Sequence, residues 1–189
     1  MRNYLPISIL SVCFWLCCSA AFAQPATEAQ AWAALRNNGI LLLRHAMAPG
    51  GGDPHGFKLN HCTTQRNLDE VGRAQARDIG VRFQAQKITA LSVITSQWCR
   101  CQETADLAFP GKRKDAPAFN SFFQDPILEN AQTKAASALI VSWDKKEPLV
   151  VVTHQVNITA LTGLVPAPGE GVVMRRKGKM LEVVGQIKF

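Results

Sequence analysis

Two histidines and two arginines stand where they could handle a phosphoryl group together. Arg44-His45 follows Ile40-Leu41-Leu42-Leu43, a short unbroken apolar run. Ser96-Gln97-Trp98-Cys99-Arg100 follows a second run, Leu91 to Ile94, and Thr153-His154 follows a third, Leu149 to Val152. Arginine offers a fixed fork of donors suited to phosphate oxygens. Histidine titrates near neutrality, and its neutral ring is a competent nucleophile. Helices beginning just after Arg100 and His154 would also turn free backbone N–H groups toward an anion. Taken singly, a histidine after a strand is more often a hydrogen-bonded structural residue, and Arg100 could be a helix-surface charge. The coincidence of four such residues at run ends favours the phosphoryl reading.

The elements that must position them follow from the surrounding pattern. Apolar runs without alternation are expected of strands buried on both faces. Thr27 with Gln30 resembles a capping box, and Trp32 and Leu35 give a helical face that ends at Gly39. Residues 46–61 hold four glycines and two prolines and are expected to form a loop. Asn67 and Glu70 open a second predicted helix, with Val71, Ala74, Ile79 and Phe83 inward. A third runs from about Cys99 to Leu107, and Pro110 to Pro126 reads as irregular. Ala131, Ala135, Leu139 and Trp143 mark a fourth helix, and Val156 to Leu164 a fifth. Val172 to Met174 and Leu181 to Val184 close the chain as a hairpin, with Arg175, Arg176, Lys177 and Lys179 solvating the turn at Gly178. Strands alternating with helices predict an α/β three-layer sandwich, a mostly parallel central sheet with helices on both faces. In such sheets ligands bind beyond the carboxyl ends of the strands.

These segments resemble a known family. Leu43-Arg44-His45-Ala46 is similar to the Arg-His-Gly signature of the histidine phosphatase (phosphoglycerate mutase-like) superfamily. Gln65-Arg66-Asn67-Leu68, Gly72 and Gln75-Ala76 resemble the segment after that signature loop. Ser96 through Arg100 to Thr104-Ala105 resembles the second arginine segment, and Thr153-His154 the second histidine. The matching runs cover most of residues 39–164 in the family's order. Short length and an export signal are most like small periplasmic members, including lipopolysaccharide core heptose phosphatases. The resemblance implies a histidine-phosphatase-like fold and phosphomonoester or phosphoanhydride hydrolysis without metal or other cofactor. His45 would become phosphohistidine, with Arg44, Arg100 and His154 holding the equatorial oxygens.

The sequence departs from the family at three places. Ala46 and Gln155 stand where glycine is usual, and both could alter how the backbone approaches substrate. The acid that protonates the leaving group is usually a carboxylate between the second arginine and the second histidine. Asn120-Ser121-Phe122-Phe123-Gln124-Asp125 has no glutamate at that place, so Asp125 and Glu129 are the candidates. Weak acid assistance would favour substrates with good leaving groups. Arg66 is either a substrate contact or a surface charge. Asp53, His55 and His61 lie in the glycine-rich loop and are assigned no role.

Residues 1–23 read as a signal peptide. Arg2 precedes an apolar stretch from Tyr4 to Cys18, and Ala21-Phe22-Ala23 gives the small-x-small pattern before Gln24. An uncleaved anchor is the alternative. Residues 24–189 then form one domain, expected in the periplasm. Cleavage removes three of the six cysteines and leaves Cys62, Cys99 and Cys101, an odd set that allows one bridge, Cys62 to Cys99 or to Cys101, and one free thiol.

The 189 residues carry 21 Lys and Arg against 14 Asp and Glu, a net +7, with 47% hydrophobic residues. That balance excludes a disordered tail and a polytopic membrane protein. It suits an anionic partner, a small phosphorylated substrate or cell-envelope phosphate, and is too mild for a nucleic-acid binder. No stable membrane insertion is expected after cleavage. Two other readings stay open. One is a zinc-like Cys₃His site from His61, Cys62, Cys99 and Cys101. The other is a binding module that keeps the anion pocket without catalysis.

Overall fold

The computed structural model describes Met1 and residues 27–189. The proposed leader, residues 1–23, lies outside the described residues apart from Met1. Helix α1 (Glu28–Arg36) opens with the reciprocal cap expected from its sequence: the Thr27 hydroxyl accepts from Gln30 N–H, and the Gln30 side chain accepts from Thr27 N–H at 2.8 Å. Two amides that the helix itself cannot satisfy are thereby paired.

Four strands run parallel: β1 (Ile40–Arg44), β2 (Ser92–Thr95), β3 (Arg113–Asp115) and β4 (Leu149–Thr153). The hairpin of β5 (Gly171–Lys177) and β6 (Met180–Ile187) adds two antiparallel strands, in the order β3-β2-β4-β1-β5-β6. Both faces of β1, β2 and β4 are buried, which is why these strands read as largely apolar runs. Leu41, Leu43, Val93, Val150 and Val152 pack under α1, α2 (Glu70–Ala85) and α3 (Cys99–Ala108). Ile40, Leu42, Ile94, Leu149 and Val151 pack under α4 (Glu129–Val141) and α5 (Gln155–Thr162). The fold is thus the expected α/β/α sandwich with a mostly parallel sheet.

Register brings the strand ends level. Arg44 pairs with Thr153 across β1 and β4, and Thr95 pairs with Val152 across β2 and β4. The residues just past these positions, His45, His154 and Ser96, therefore emerge side by side at one edge of the sheet.

Three local expectations need correction. Helix α2 does not bury Val71 and Ala74, which are exposed; it buries Gly72, Ala76, Ile79, Gly80 and Phe83. The reason is close backbone contact. A Cβ on Gly72 would lie 1.9 Å from the Met47 carbonyl oxygen, and one on Gly80 would lie 2.5 Å from that of Ala108. The helix cap is Asp69, whose carboxylate accepts from Gly72 N–H at 2.7 Å, whereas Asn67 donates to the carbonyls of Cys62 and Gln65. Within the segment read as irregular, Arg113–Asp115 forms β3, a short polar edge strand held by β2 alone. Finally, α4 turns Ala136 and Ile140 inward and leaves Ala131 and Ala135 exposed.

Candidate active site

His45, Arg100 and His154 converge at the carboxyl ends of β1, β2 and β4, as the strand-end rule requires. All three are buried, and they border a cavity of about 340 Å³ with Arg44 and Arg66. Arg100 Nε–H points at His45 Nε2 across 3.3 Å, and its Nη2 approaches His154 Nδ1 at 3.4 Å.

The His45 ring is oriented by its own backbone. Nδ1 lies 2.7 Å from the Ala46 carbonyl oxygen, an atom that can only accept, so Nδ1 carries the proton. Nε2 is left with its lone pair, at the edge of the cavity beside Arg100. Burial, then the charge of Arg100, pushes the imidazole well below its ordinary pKa. The ring is therefore neutral at neutral pH, the form that can attack phosphorus.

His154 is held neutral for the same reasons, burial first and Arg100 second. With Nδ1 facing an arginine donor, its proton sits on Nε2, which donates to Ser96 Oγ at 2.8 Å. Ser96 belongs to a polar clasp: Asn120 accepts from Gln97 N–H at 2.9 Å and donates to the Gln97 side chain at 2.9 Å. This clasp ties the residues after β2 to the segment after β3.

Ala46, which replaces the usual glycine of the resembling family, is wholly buried and uses both its peptide groups. Its N–H donates to Thr104 Oγ1 at 3.0 Å, and Thr104 in turn donates to the Arg100 carbonyl at 2.7 Å. The turn carrying the nucleophile candidate is thus fastened to the helix carrying Arg100. Gln155, at the second departure, begins α5 and lines the cavity. Gln75 adds a brace, accepting from Met47 N–H at 2.9 Å and donating to the Pro168 carbonyl at 3.0 Å.

Sequence reasoning assigns no role to Asp53, yet its carboxylate is the counter-charge of the site. It accepts from Arg100 Nη1 at 2.8 Å and Nη2 at 3.1 Å, from Trp98 Nε1 at 2.9 Å and from Arg66 N–H at 3.1 Å. The Asp53 and Arg100 side chains are only 4% and 3% exposed. Burial alone would raise the Asp53 pKa, but the bonds and charge of Arg100 outweigh it and hold the carboxylate ionised. Asp53 fixes the guanidinium so that Nε, rather than the fork, faces His45. Its placement on a glycine-rich loop, 47 positions from Arg100, leaves no periodic signal.

The other candidates fall as follows. Arg44 Nη1 donates to the Pro166 carbonyl at 2.9 Å, and its buried Nε has no protein partner among the described residues. Arg66 lines the cavity, but Nε and Nη1 donate to the carbonyls of Gly52 and Ala48, so it splints the glycine-rich loop. Asp125 is exposed at the cavity mouth. Glu129 opens α4 and does not line the cavity. At the start of α3, Trp98 N–H and Cys99 N–H are not free for an anion, because they donate to Ser96 Oγ and the Gln65 side chain.

Cys62 and Cys99 form a disulfide, with Cα atoms 5.6 Å apart, and Cys101 is a buried free thiol pushed up to about 12 by desolvation. The Cys₃His metal set is therefore not assembled, since two of its thiols are consumed. Among the described residues no cluster of three or more His, Cys, Asp or Glu could hold a metal ion. No described helix is long and apolar enough to cross a membrane.

The fold that carries this edge-of-sheet cluster is histidine-phosphatase-like. The model of the histidine phosphatase superfamily (branch 1) matches residues 40–117, which carry Arg44, His45 and Arg100. Phosphoglycerate mutase from Thermus thermophilus superposes with a TM-score of 0.57 at 16% identity, over 80% of this chain and 99% of the other. A mycobacterial glucosyl-3-phosphoglycerate phosphatase gives 0.57 at 13%, over 77% and 96%, and the protein histidine phosphatase SixA complexed with tungstate gives 0.53 at 15%, over 79% and 96%. At these identities the likeness is one of fold. No curated protein matches the chain significantly.

Proposed function

We propose that this chain is an exported member of the histidine phosphatase superfamily that hydrolyses a phosphomonoester through a phosphohistidine on His45. The observation that carries the reading is the tautomer of His45: Nδ1–H is spent on the Ala46 carbonyl, and the Nε2 lone pair stands 3.3 Å from Arg100 Nε. The Nε2 lone pair forms the N–P bond while the P–O bond to the leaving group breaks, and the departing oxygen takes a proton from Asp125 at the mouth or from water. Water then attacks phosphorus, the N–P bond breaks, and His45 returns to its neutral form with release of phosphate. Arg44, Arg66 and Arg100 outnumber the Asp53 carboxylate that faces Arg100, a positive excess that suits a phosphate anion. Positioning and charge stabilisation supply most of the catalysis in such transfers.

Two of the similar structures hold oxyanions, tungstate in SixA and VO3 in the mycobacterial phosphatase, which supports an oxyanion as the ligand of this chain. Export is supported by the Ala21-Phe22-Ala23 pattern and by the Cys62–Cys99 bridge, a bond at home in an oxidising compartment. A phospho-ligand binding module is the second reading. It is favoured by one observation, that Asp53 is committed to Arg100 and leaves exposed Asp125 as the remaining carboxylate lining the cavity.

Quenching with ³²P-labelled aryl phosphate should trap an acid-labile, base-stable label that is lost in His45→Ala together with turnover. Full activity in His45→Ala would overturn the mechanism. Phosphate binding without turnover of any aryl ester would support the binding module instead.

A further inference from the structure

Besides the phosphate cradle, the cavity lining has an apolar part. Phe57, Phe123, Leu128 and Val156 make up this apolar wall, while Arg44, Arg66 and Arg100 are the cationic residues of the whole lining. Those three guanidiniums are already committed to the cradle and its loop. The charge that remains at the mouth is Asp125, a carboxylate. A second phosphate on the leaving group would meet no free cation there. A sugar would find the Gln124 and Gln155 amides already donating, to the Asp53 carbonyl and to Thr159, with Ser121 and Asp125 as the other polar side chains beside them.

The apolar wall also continues out of the cavity. Phe123 packs over Gly52, and its side chain is 59% exposed; Ile127 and Leu128 follow on the same segment at 87% and 43%. Three large apolar side chains are left open within six residues, and two of them, Phe123 and Leu128, also line the cavity, so they form an apolar lip at its opening. The occupant must reach the lip from the phosphate site, since both belong to one opening.

Resting on the phosphatase reading above, we infer that the substrate is an amphiphilic phosphomonoester, a terminal phosphate on an apolar chain whose carbons lie along Phe57, Phe123 and Leu128. The phosphate fills the cradle, the first carbons lie against the cavity wall, and the rest of the chain covers the lip. Specificity then arises from burying chain carbons, a cumulative effect that grows with length, rather than from a few hydrogen bonds.

The test separates chain recognition from leaving-group chemistry. In a series of 4-n-alkylphenyl phosphates from methyl to octyl, the phenol pKa stays nearly constant while the chain lengthens. Full burial of a methylene corresponds to roughly a fourfold gain, and a chain on a half-open lip should keep about half of that energy. Below micellar concentrations, kcat/KM should therefore rise on the order of twofold per carbon. In the Phe123→Ser, Leu128→Ser double variant that slope should flatten toward one, with a far-UV spectrum showing retained fold. Affinities for n-alkylphosphonates, which cannot turn over, should show the same slope and the same flattening. A flat series with measurable turnover overturns the chain subsite and leaves the phosphatase reading intact. Loss of turnover on all esters with a retained phosphonate slope overturns the phosphatase reading alone. A flat series in a dimer that dissociates in the double variant assigns the lip to a second copy of the chain and overturns the proposal.

Discussion

Replacing Asp53 by asparagine removes the charge that orients Arg100 while keeping nearly the same shape. Four donors meet this carboxylate, and the arginine it faces is 3% exposed, so water cannot substitute freely for the lost charge. Breaking a buried pair by removing one partner costs about 3–5 kcal/mol. The amide keeps an acceptor oxygen for Arg100 or Trp98, which places the expected loss near the lower end, about 3 kcal/mol. For a domain of this size that is a fall of about 6–12 °C in Tm. The same substitution loosens the hold on the Arg100 fork, so that its Nη groups can turn toward an anion. Inorganic phosphate should therefore bind more tightly, on the order of tenfold for each 1.4 kcal/mol recovered, and should restore much of the lost Tm. Turnover should nevertheless fall, since Nε is no longer held toward His45 and product leaves slowly. Thermal unfolding with and without phosphate, together with product-inhibition constants on an aryl phosphate, reads all three effects. An Asp53→Asn protein with unchanged Tm and weaker phosphate binding would refute the role of Asp53 as the group that orients Arg100.

Breaking the disulfide by Cys62→Ser should cost about 2–4 kcal/mol, because the bridge closes a 37-residue separation; urea unfolding checks it, and unreduced, denatured protein lacking residues 1–23 should titrate one free thiol. Gly72→Ala should destabilise by at least about 1–3 kcal/mol through overpacking and should also lower kcat, because the Met47 carbonyl it strikes lies two residues past His45; wild-type stability in Gly72→Ala would contradict the close approach. Stability should fall on acidification below about pH 6.5. His45 and His154 are held neutral in the fold with pKa values below the ordinary 6.5, so in that window the unfolded chain binds protons that the folded chain refuses. The loss is about 1.4 kcal/mol per pH unit for each histidine until its folded pKa is reached, and replacing both by glutamine should flatten the dependence of urea midpoints on pH.

The residues that sequence reasoning reaches share one property: each follows a strand buried on both faces. Leu41-Leu42-Leu43 and Val150-Val151-Val152 announce such strands because neither face tolerates a polar residue, so Arg44-His45 and Thr153-His154 stand out as the first polar residues beyond them. The missed features lack that signal. Arg113–Asp115 is polar throughout because β3 is a three-residue edge strand with little core to cover. The inner face of α2 escapes a hydropathy reading because close packing selects glycine there, and a buried glycine scores as neutral. Cys62 can be paired on borders of the pocket, but choosing Cys99 over Cys101 needs the direction of two side chains on opposite sides of α3, which spacing does not give.

Asp53 exposes the deeper limit. A loop residue acquires its role from whatever the fold carries to it; α3 brings Arg100 and Trp98, while the extended segment before α2 brings the Arg66 amide. The Cys62–Cys99 bridge joins those same two segments, with Cys62 nine positions after Asp53 and Cys99 beside Arg100. The covalent tie and the ion pair therefore constrain one another: the bridge shortens the range over which the glycine-rich loop can move, and the ion pair fixes where within that range it rests. This is why Arg66 is spent on the carbonyls of Gly52 and Ala48 rather than left as a free cation. Three arginines around one oxyanion site repel each other; Asp53 offsets part of that repulsion, and the positive excess that remains suits an oxyanion.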